Sequence, residues 1–304
     1  MPVGRRTIQF TADRGDARLR LDQVLVRRVT DVTRMSRSRA QDWIESGAVL
    51  VDGAVAARPS TRVREGALVE LALPDNAELR TRPQPESGVL DVLHEDEHLL
   101  ALNKPAGVVV HPSYKNVSGT LINAVLWRLR DRGDVRPGIV TRLDRDTSGV
   151  LLVSLTPGVH ARLQRAAIRK EYLAVVAGVP DPRSGTIELP LDRDPGDRRR
   201  MIVTADGLPS TTHYELLSTA SGVSVVRCEL GTGRTHQIRV HLTARGWPLL
   251  GDATYGVADA RLTRQALHAW RVTFDHPLTS APLQITAPAP PDVAPFLEDT
   301  PLPE

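Results

Sequence analysis

The sequence predicts an α+β protein with two domains, a small one near the amino terminus and a larger one behind it. The 304 residues are enough for a sizeable core and a second, smaller domain. Segments with strand-like alternation and segments with helical spacing occur together along the chain. A polar, Pro-rich stretch at 75–88 is typical of a linker. It separates a small domain at 18–74, which follows a lead-in at 1–17, from a large domain at 89–304.

The small domain contains signals for two helices followed by strands. Apolar residues recur at helical spacing from Leu21 to Val29, and Ser36 is suited to cap a second helix. Asp52-Gly53 predicts a hairpin turn, and the run from Leu68 to Leu73 predicts a further strand. These elements together predict a compact module with its own core.

Positive charge is concentrated at the amino-terminal end of the chain. Residues 1–75 hold 13 Arg and 10 acidic residues, which accounts for the whole formal net charge of +3. Arg outnumbers Lys by 36 to 3, which we attribute mainly to codon bias, although guanidinium groups also suit phosphate. Seven Arg lie between positions 18 and 39, against two Asp. Such a run is usual on a solvated helix face, and it would also serve a phosphate-binding surface.

The stretch 138–153 presents a carboxylate between two apolar segments. The run from Ile139 to Leu143 ends at Asp144, and a strand-like run resumes at Val150 after a turn-forming Asp-Thr-Ser-Gly cluster. Arg residues flank Asp144, and nearby cations keep a carboxylate ionised and able to act as a nucleophile. The alternative is that Asp144 caps the turn, which is the commoner role of Asp in loops.

Two further segments carry candidate functional residues. A strand is predicted from Lys170 to Val176, and its alternation turns Tyr172 toward one face, where a buried Tyr ordinarily packs a sheet. A glycine-rich turn follows at 231–234, after which we expect Thr235 to cap a helix that ends at Gly246. Arg234 would then lie just ahead of the amino-terminal end of this helix.

Several classes of site and location are excluded or disfavoured. His236 and His241 are five residues apart, about 140° around a helix, so they do not share a face as metal ligands would and no metal is expected. The single cysteine, Cys228, excludes an internal disulfide and is expected to be buried and inert. Neither a secretory signal nor a membrane span is apparent, so we expect a cytoplasmic protein without membrane contact. The Pro-rich end, 287–304, is expected to be at the surface or frayed.

The motif around the carboxylate resembles that of RluA-type pseudouridine synthases, which typically read His-Arg-Leu-Asp-x-x-Thr-Ser-Gly before an apolar strand. The matching residues here are Arg142, Leu143, Asp144, Thr147, Ser148 and Gly149. Thr141 stands where the family usually has His. Other segments that resemble the family are Lys104-Pro105-Ala106-Gly107, His111-Pro112, Lys170-Glu171-Tyr172, the string from Gly231 to Leu242, and Leu267-His268-Ala269.

The small domain also resembles a known module. Residues 18–73 are similar to the alpha-L RNA-binding domain that precedes the catalytic domain of synthases acting on large-subunit ribosomal RNA. The resemblance implies a catalytic domain built on a mixed, largely antiparallel sheet with flanking helices and a central cleft. The reaction breaks the bond between uracil N1 and ribose, rotates the base and rejoins it through C5. Because this needs neither redox change nor energy input, no cofactor is expected.

The resemblance implies a role for each site residue. Asp144 would take the covalent or near-covalent role, and Arg234 would form a salt bridge with it. Tyr172 would stack on the uracil and take the C5 proton, as phenolate or through water. Arg142 would fill the space left by the flipped nucleotide. The expected phosphate contacts come from Arg18, Arg20, Arg34, Arg37 and Arg39 in the small domain.

The insert at 184–215 is predicted to be rich in hairpins and carries Arg198, Arg199 and Arg200 beside Met201. A flexible basic loop and an RNA-facing arm are both consistent with it, because three Arg in a loop suit phosphate contact. The overall expectation is a monomeric RNA pseudouridine synthase with ribosomal RNA as its partner. The same chemistry on transfer RNA, and a non-catalytic RNA-binding ribosome-assembly factor, remain as alternatives.

Overall fold

The structure, a computed structural model, describes most of the chain in two compact units, residues 1–82 and residues 83–304. The described residues are 7–13, 15–29, 33, 35–73, 83–112, 118–133, 135–197 and 199–303. Among the predicted features, Arg34, Arg198, residues 1–6 of the lead-in and residues 75–82 of the linker lie outside the described residues. None of the helices in the described ranges is long and apolar enough to cross a membrane.

The small unit combines two helices with a short antiparallel sheet. Its elements are β1 (Thr7–Thr11), α1 (Leu21–Val29), α2 (Arg37–Glu45), β2 (Val49–Val51), β3 (Ala54–Val55) and β4 (Leu68–Ala72). The sheet order is β1-β4-β2-β3. As predicted, Ser36 caps α2, since its hydroxyl accepts a hydrogen bond from the Arg39 amide at 3.1 Å. Asp52 and Gly53 form the β2–β3 turn with φ of 51° and 78°, which a primed hairpin turn requires.

The large unit is organised around one mixed sheet, formed by ten of the described strands. The strands of this sheet are β5 (Val92–Glu95), β6 (Leu99–Lys104), β7 (Gly138–Ile139), β8 (Ser148–Ser154), β9 (Arg169–Ala177), β10 (Ser184–Glu188), β13 (Thr211–Ala220), β14 (Val223–Leu230), β15 (Leu267–Asp275) and β16 (Pro282–Thr286). Their order is β10-β13-β14-β9-β15-β8-β6-β5, with β16 beside β15 and β7 beside β8. Only β8 and β15 pair in parallel among these, so the predicted mixed, largely antiparallel sheet is confirmed.

Helices and one hairpin flank this sheet. They are α3 (Leu121–Arg128), α4 (Pro157–Leu163), α5 (Gln237–Ala244), a 3-10 helix (Ala294–Phe296) and the hairpin of β11 (Leu191–Arg193) and β12 (Met201–Val203). Thr156 caps α4, because its side chain accepts a hydrogen bond from the Val159 amide.

The centre of the sheet anchors the loop that carries Asp144. Every residue of β8 is buried. Gly149, with φ of 111°, lies so close to β15 that a Cβ there would be 2.1 Å from the carbonyl oxygen of Ala269. Only glycine permits this approach, and the neighbouring Ser148 hydroxyl is 3.0 Å from the Nδ1 of His268. The loop before β8 is therefore fixed at its carboxyl end by the most buried part of the fold.

The expectation that the Pro-rich end is frayed was wrong, although most of its residues lie at the surface. The Pro-rich end packs against the body: Val293 and Leu297 are buried, and Arg271 donates to the carbonyl of Pro303 at 3.2 Å. Apolar side chains can pack on a core even where the backbone forms no long helix or strand, which explains why this segment is attached to the body.

Candidate active site

A cavity of about 610 Å³ opens at the loop that precedes β8. Asp144, Tyr172 and Arg234, which the sequence interpretation brought together, all line it, and so does Arg142. Other lining residues are Leu143, Lys170, His236, Ile238, Arg239 and Leu267. The volume lies in the range of small-molecule sites, so the cavity can hold a nucleoside.

Asp144 presents its carboxylate to the cavity. The side chain is 26% exposed, and its Oδ2 accepts a hydrogen bond from Nη1 of Arg239 at 3.1 Å. Within the described residues, Oδ1 accepts no hydrogen bond. The turn is closed by the backbone instead, since the Thr147 amide donates to the Asp144 carbonyl at 3.2 Å. The alternative in which the Asp144 side chain caps this turn is therefore wrong.

The predicted salt bridge between Arg234 and Asp144 is also wrong, because Arg239 takes that place. We expected Thr235 to cap the helix, but α5 begins later, with His236 as its N-cap in the left-handed region. This puts Arg239 in the first turn of α5, facing the cavity. Arg234 lies in the exposed preceding turn, and its Nε is 3.4 Å from the carbonyl oxygen of Pro209.

A sequence signal for Arg239 existed but was missed. Arg239 lies between Ile238 and Val240, and an arginine inside an apolar helical segment is buried only with a carboxylate partner. Its side chain is 8% exposed in the structure. The required partner, Asp252, follows thirteen residues later.

Asp252 holds Arg239 in a bidentate pair. Nε and Nη2 of Arg239 donate to its two carboxylate oxygens at 2.6 and 2.8 Å. The amides of Thr254 and Tyr255 donate to the same carboxylate. Burial alone would raise the pKa of Asp252, but these hydrogen bonds outweigh it and lower the pKa. Burial likewise opposes the charge on Arg239. Its two carboxylate partners, Asp252 and Asp144, outweigh burial and raise the pKa of Arg239. Arg239 thus stays charged, with its remaining nitrogen directed at Asp144.

His236 is the second group close to the Asp144 carboxylate. Its φ is 54°, and its Nε2 lies 3.8 Å from Oδ2 of Asp144. Its Nδ1 is 2.8 Å from the hydroxyl of Tyr255, which also accepts a hydrogen bond from the Met201 amide at 2.7 Å. The Tyr255 proton is then available to Nδ1, which leaves the Nε2 proton facing Asp144. Burial lowers the pKa of His236, although Asp144 opposes this, so the imidazole is neutral at pH 7.

Tyr172 forms part of the apolar wall. As predicted, it shares a face of β9 with Ala174 and Val176, and all three are buried in one cluster. Burial, and then the nearby Asp144 carboxylate, raise the pKa of Tyr172. The phenolate form of Tyr172 is therefore disfavoured, and transfer of the C5 proton through water is the alternative that this environment favours. Its ring offers an apolar face beside Leu267 and Ile238.

Comparison with known proteins decides the family. The RNA pseudouridylate synthase family model matches residues 98–244, and the S4 domain model matches residues 19–69. A Bacillus subtilis protein described as an uncharacterized RNA pseudouridine synthase is 38% identical over 96% of this chain and 97% of its own. The ribosomal large subunit pseudouridine synthase D of Nitrosomonas europaea is 41% identical over 96% of this chain and 87% of its own.

This chain belongs to the RNA pseudouridine synthase family. The fold agrees: the structure of human RNA pseudouridylate synthase domain containing 1 matches with a TM-score of 0.55 and 27% identity, over 68% of this chain and 89% of that chain. The enzyme therefore combines an RNA-binding S4 domain with a synthase domain. Within the ranges that the structure describes, no group of His, Cys, Asp and Glu is arranged to hold a metal ion.

Thr141, where the usual family motif has His, makes a defined contact in the structure of the synthase. Thr141 is buried and lines the cavity, and its hydroxyl accepts a hydrogen bond from the Leu152 amide at 2.9 Å. The Thr141 side chain thereby joins the segment before Asp144 to strand β8 by a hydrogen bond. The next residue, Arg142, is exposed at the rim of the cavity and has no ion pair within the described part of the chain.

The β11–β12 hairpin of the enzyme lies beside this cavity. Arg199 is paired with Asp197 at 2.8 Å. The guanidinium of Arg200 lies 5.4 Å from the centre of the Tyr255 ring, on which Arg239 also packs at 4.9 Å. Because Tyr255 bonds to the Met201 amide as well, the hairpin is attached to the cavity wall through one aromatic side chain.

The basic residues of the S4 domain surround a buried acid. Arg20 and Arg37 each donate to the carboxylate of Asp22 at 3.1 Å, and Gln41 does so at 3.0 Å. Burial alone would raise the pKa of Asp22, but these bonds lower it to about 2. The single carboxylate of Asp22 thus orients the guanidinium groups of Arg20 and Arg37. With two cations for one anion, this cluster keeps a net positive charge. Arg18 is exposed, and Arg39 is half-buried with contacts of its own.

Proposed function

We propose that this enzyme isomerises specific uridines to pseudouridines in large-subunit ribosomal RNA, with Asp144 as the reacting carboxylate. The observation that carries the proposal is the chain of charges Asp252–Arg239–Asp144 at the mouth of a nucleoside-sized cavity. Arg239 is fixed by Asp252 and needs no rearrangement to hold Asp144 ionised. Oδ1 of Asp144 then remains for the nucleoside, because Oδ2 bonds to Arg239.

The reaction places different demands on the charged and on the apolar residues that line the cavity. The N1–C1′ bond breaks, the C5–C1′ bond forms, the C5 proton leaves and N1 gains a proton, so atoms and charge balance without a cofactor. Asp144 faces the developing positive charge or the electrophilic carbon. The apolar part of the lining, which includes Tyr172 and Leu267, must let the uracil rotate, which a surface without directional bonds allows.

Access to this cavity requires the uridine to leave its helix or loop. Unstacking costs a few kcal/mol. Arg142 is exposed at the rim and is a suitable group to occupy the space that the base leaves, since a guanidinium can stack as well as bind phosphate. The Arg residues at 18, 20, 37 and 39 of the S4 domain supply phosphate contacts, which give affinity without choosing a base.

The relatives favour ribosomal over transfer RNA as the substrate. Several relatives named ribosomal large subunit pseudouridine synthase D are about 40% identical over most of this chain, S4 domain included. On this proposal the enzyme acts where ribosomal RNA is made, in the cytoplasm. It also acts as a monomer, since one chain supplies the carboxylate, the guanidinium and the aromatic ring, and sedimentation analysis tests this.

Tritium release tests the chemistry. Large-subunit ribosomal RNA transcribed with tritium at uridine C5 is incubated with the enzyme, and transfer RNA serves as the comparison substrate. Asp144→Asn should abolish release but retain RNA binding. Asp146→Asn is the matched control: its carboxylate lies in the same loop but does not line the cavity, so release should persist. Release from no RNA would leave the assembly-factor alternative standing, and mapping pseudouridines in a deletion strain would identify the uridine.

A further inference from the structure

A second cavity adjoins the first along β9. It measures about 460 Å³, and Val140, Thr141, Gln164, Lys170 and Leu230 line both cavities. The two spaces are therefore adjacent, and Lys170 is among the residues that they share. A volume of this size again suits a group as large as a nucleotide.

Lys170 lies next to the catalytic wall by the geometry of the strand. Lys170 and Tyr172 are two residues apart in β9, so their side chains point to the same face about 6.6 Å apart along the strand. The Lys170 ammonium is 3.9 Å from the position that a Cβ would take on Gly233. The glycine-rich turn thus leaves open space around the ammonium.

Lys170 differs from the structural lysine of the same unit. Lys104 is fully buried and donates to the carbonyls of Pro105 and Arg145, both at 2.7 Å. Lys170 is half-buried and, across the part of the chain that the structure describes, makes no hydrogen bond or ion pair. Burial lowers its pKa, which shows that removal from water is not compensated by a partner in the protein. Lysine is also rare in this chain, with 3 of 39 basic residues.

The other charges of the second cavity are already matched. Arg169 pairs with Glu229 at 2.9 Å, and both line the cavity. Their charges compensate each other, so Lys170 supplies one excess positive charge. The remaining lining combines apolar side chains, among them Leu163 and Ile168, with the polar side chains of Thr141 and Gln164. A single unpaired ammonium in a lining of mixed polarity matches a ligand with one anionic group and a body that offers both apolar and hydrogen-bonding surface, as a nucleotide does.

We propose that the second cavity binds the nucleotide next to the target uridine, and that the Lys170 ammonium binds the phosphate joining the two. The inference rests on the proposed function, because the flipped uridine in the first cavity must be connected to its neighbours. The RNA chain has to leave the first cavity, and the adjacent second cavity offers a place for the next nucleotide on one side. The subsite would thereby hold the uridine in register and sense the identity of its neighbour.

A paired substitution in protein and RNA tests this directly. The probe is a synthetic oligoribonucleotide that contains the uridine found by mapping, with each flanking phosphate replaced in turn by a neutral methylphosphonate. In the wild-type enzyme, one flanking linkage should weaken binding by about tenfold or more when neutralised, as expected for a charged hydrogen bond. In Lys170→Gln, neutralising that linkage should have no further effect.

Controls separate this role from folding and from chemistry. Arg165→Gln removes an exposed cation near the cavity and should keep the full effect of the neutral linkage. Lys170→Gln should also reduce the slope of log Kd against log salt by about 0.7, the value for one phosphate on a single strand, while the single-turnover rate at saturation stays near wild type.

Three results would overturn the inference. In the first, no flanking linkage shows a reduced effect in Lys170→Gln. In the second, Lys170→Gln lowers the saturated rate with unchanged Kd, which would assign Lys170 to the chemistry. In the third, no single flanking linkage matters to the wild-type enzyme, a result that does not depend on how any variant folds. Tritium release from the unmodified oligonucleotide by the wild-type enzyme would still support the proposed function in all three cases.

Discussion

Nη1 of Arg239 lies 3.1 Å from Oδ2 of Asp144, although the two residues are 95 positions apart in the chain. The pair joins the loop before β8 to the first turn of α5. Because the other two guanidinium nitrogens are held by Asp252, the direction of the Asp144 carboxylate depends on a residue that does not line the cavity. Consequences for stability, rate and pH dependence follow from this arrangement and its surroundings.

Arg239→Gln should destabilise the enzyme far more than Arg234→Gln. Losing Arg239 leaves Asp252 charged and buried, and breaking a buried pair costs about 3–5 kcal/mol. Arg234 is exposed, so its replacement should change the free energy of unfolding by less than about 0.5 kcal/mol. Urea denaturation measures both. Equal losses would mean that Arg234 contributes to the charge network after all.

Adding Asp252→Asn to Arg239→Gln should restore stability without restoring activity. The double variant has no unpaired buried charge, whereas Asp144 still lacks its cation. Its free energy of unfolding should lie well above that of Arg239→Gln alone, with tritium release remaining undetected. Recovery of release in the double variant would show that Arg239 is dispensable for the reaction.

Asp252→Asn alone should lower kcat by about 10²-fold with little change in KM. An asparagine cannot hold both guanidinium nitrogens as a bidentate acceptor, so Arg239 and with it Asp144 lose their fixed direction, and small misplacements are costly in catalysis. Single-turnover kinetics at saturating RNA provide the measurement. The matched control is Asp259→Asn, which breaks an exposed Asp–Arg pair at 2.7 Å and should leave kcat unchanged. A rise in KM alone would instead place Asp252 in RNA binding.

Tyr255→Phe should reduce the saturated rate while retaining the ring that packs on Arg239. The variant loses the hydroxyl that joins the Met201 amide to Nδ1 of His236. The His236 proton is then free to move to Nδ1, which would turn an unprotonated Nε2 toward the Asp144 carboxylate. We expect a slower single-turnover rate and a stability loss of about 1–3 kcal/mol from the unsatisfied groups. An unchanged rate would show that His236 does not influence Asp144.

His268 should make the enzyme lose stability as the pH falls. It is fully buried between the Ser148 hydroxyl and the Ala287 carbonyl, and burial lowers its pKa from 6.5 to about 4. Because the pKa of His268 is depressed, the neutral side chain contributes its full stabilisation of the fold above pH 6.5. This stabilisation is lost as the pH falls toward 4. The difference corresponds to about 3 kcal/mol at 1.36 kcal/mol per pKa unit.

Denaturation at pH 7 and pH 5 measures this contribution. His268→Gln should flatten the dependence of the unfolding free energy on pH. His213→Gln, at an exposed histidine, should leave the slope as in the wild type. Identical slopes for wild type and His268→Gln would show that other groups dominate acid unfolding.

Local sequence signals were sufficient for most of the elements and for the position of the carboxylate in the cavity. The spacing from Leu21 to Val29, the cap at Ser36 and the turn at Asp52-Gly53 act over a few residues, and all three are confirmed. The motif at 142–149 likewise indicated Asp144 as the carboxylate of the cavity, because the apolar runs on both sides define where the loop must lie.

The sequence by itself determined the fold class, the family and the loop that carries Asp144. Only the tertiary structure decided that Arg239 and not Arg234 pairs with Asp144, and that burial raises the pKa of the Tyr172 phenol. The physical reason is the distance along the chain over which each interaction acts. Caps and turns are settled by neighbours along the chain, whereas an ion pair across 95 residues and the desolvation of a phenol depend on how separate elements pack.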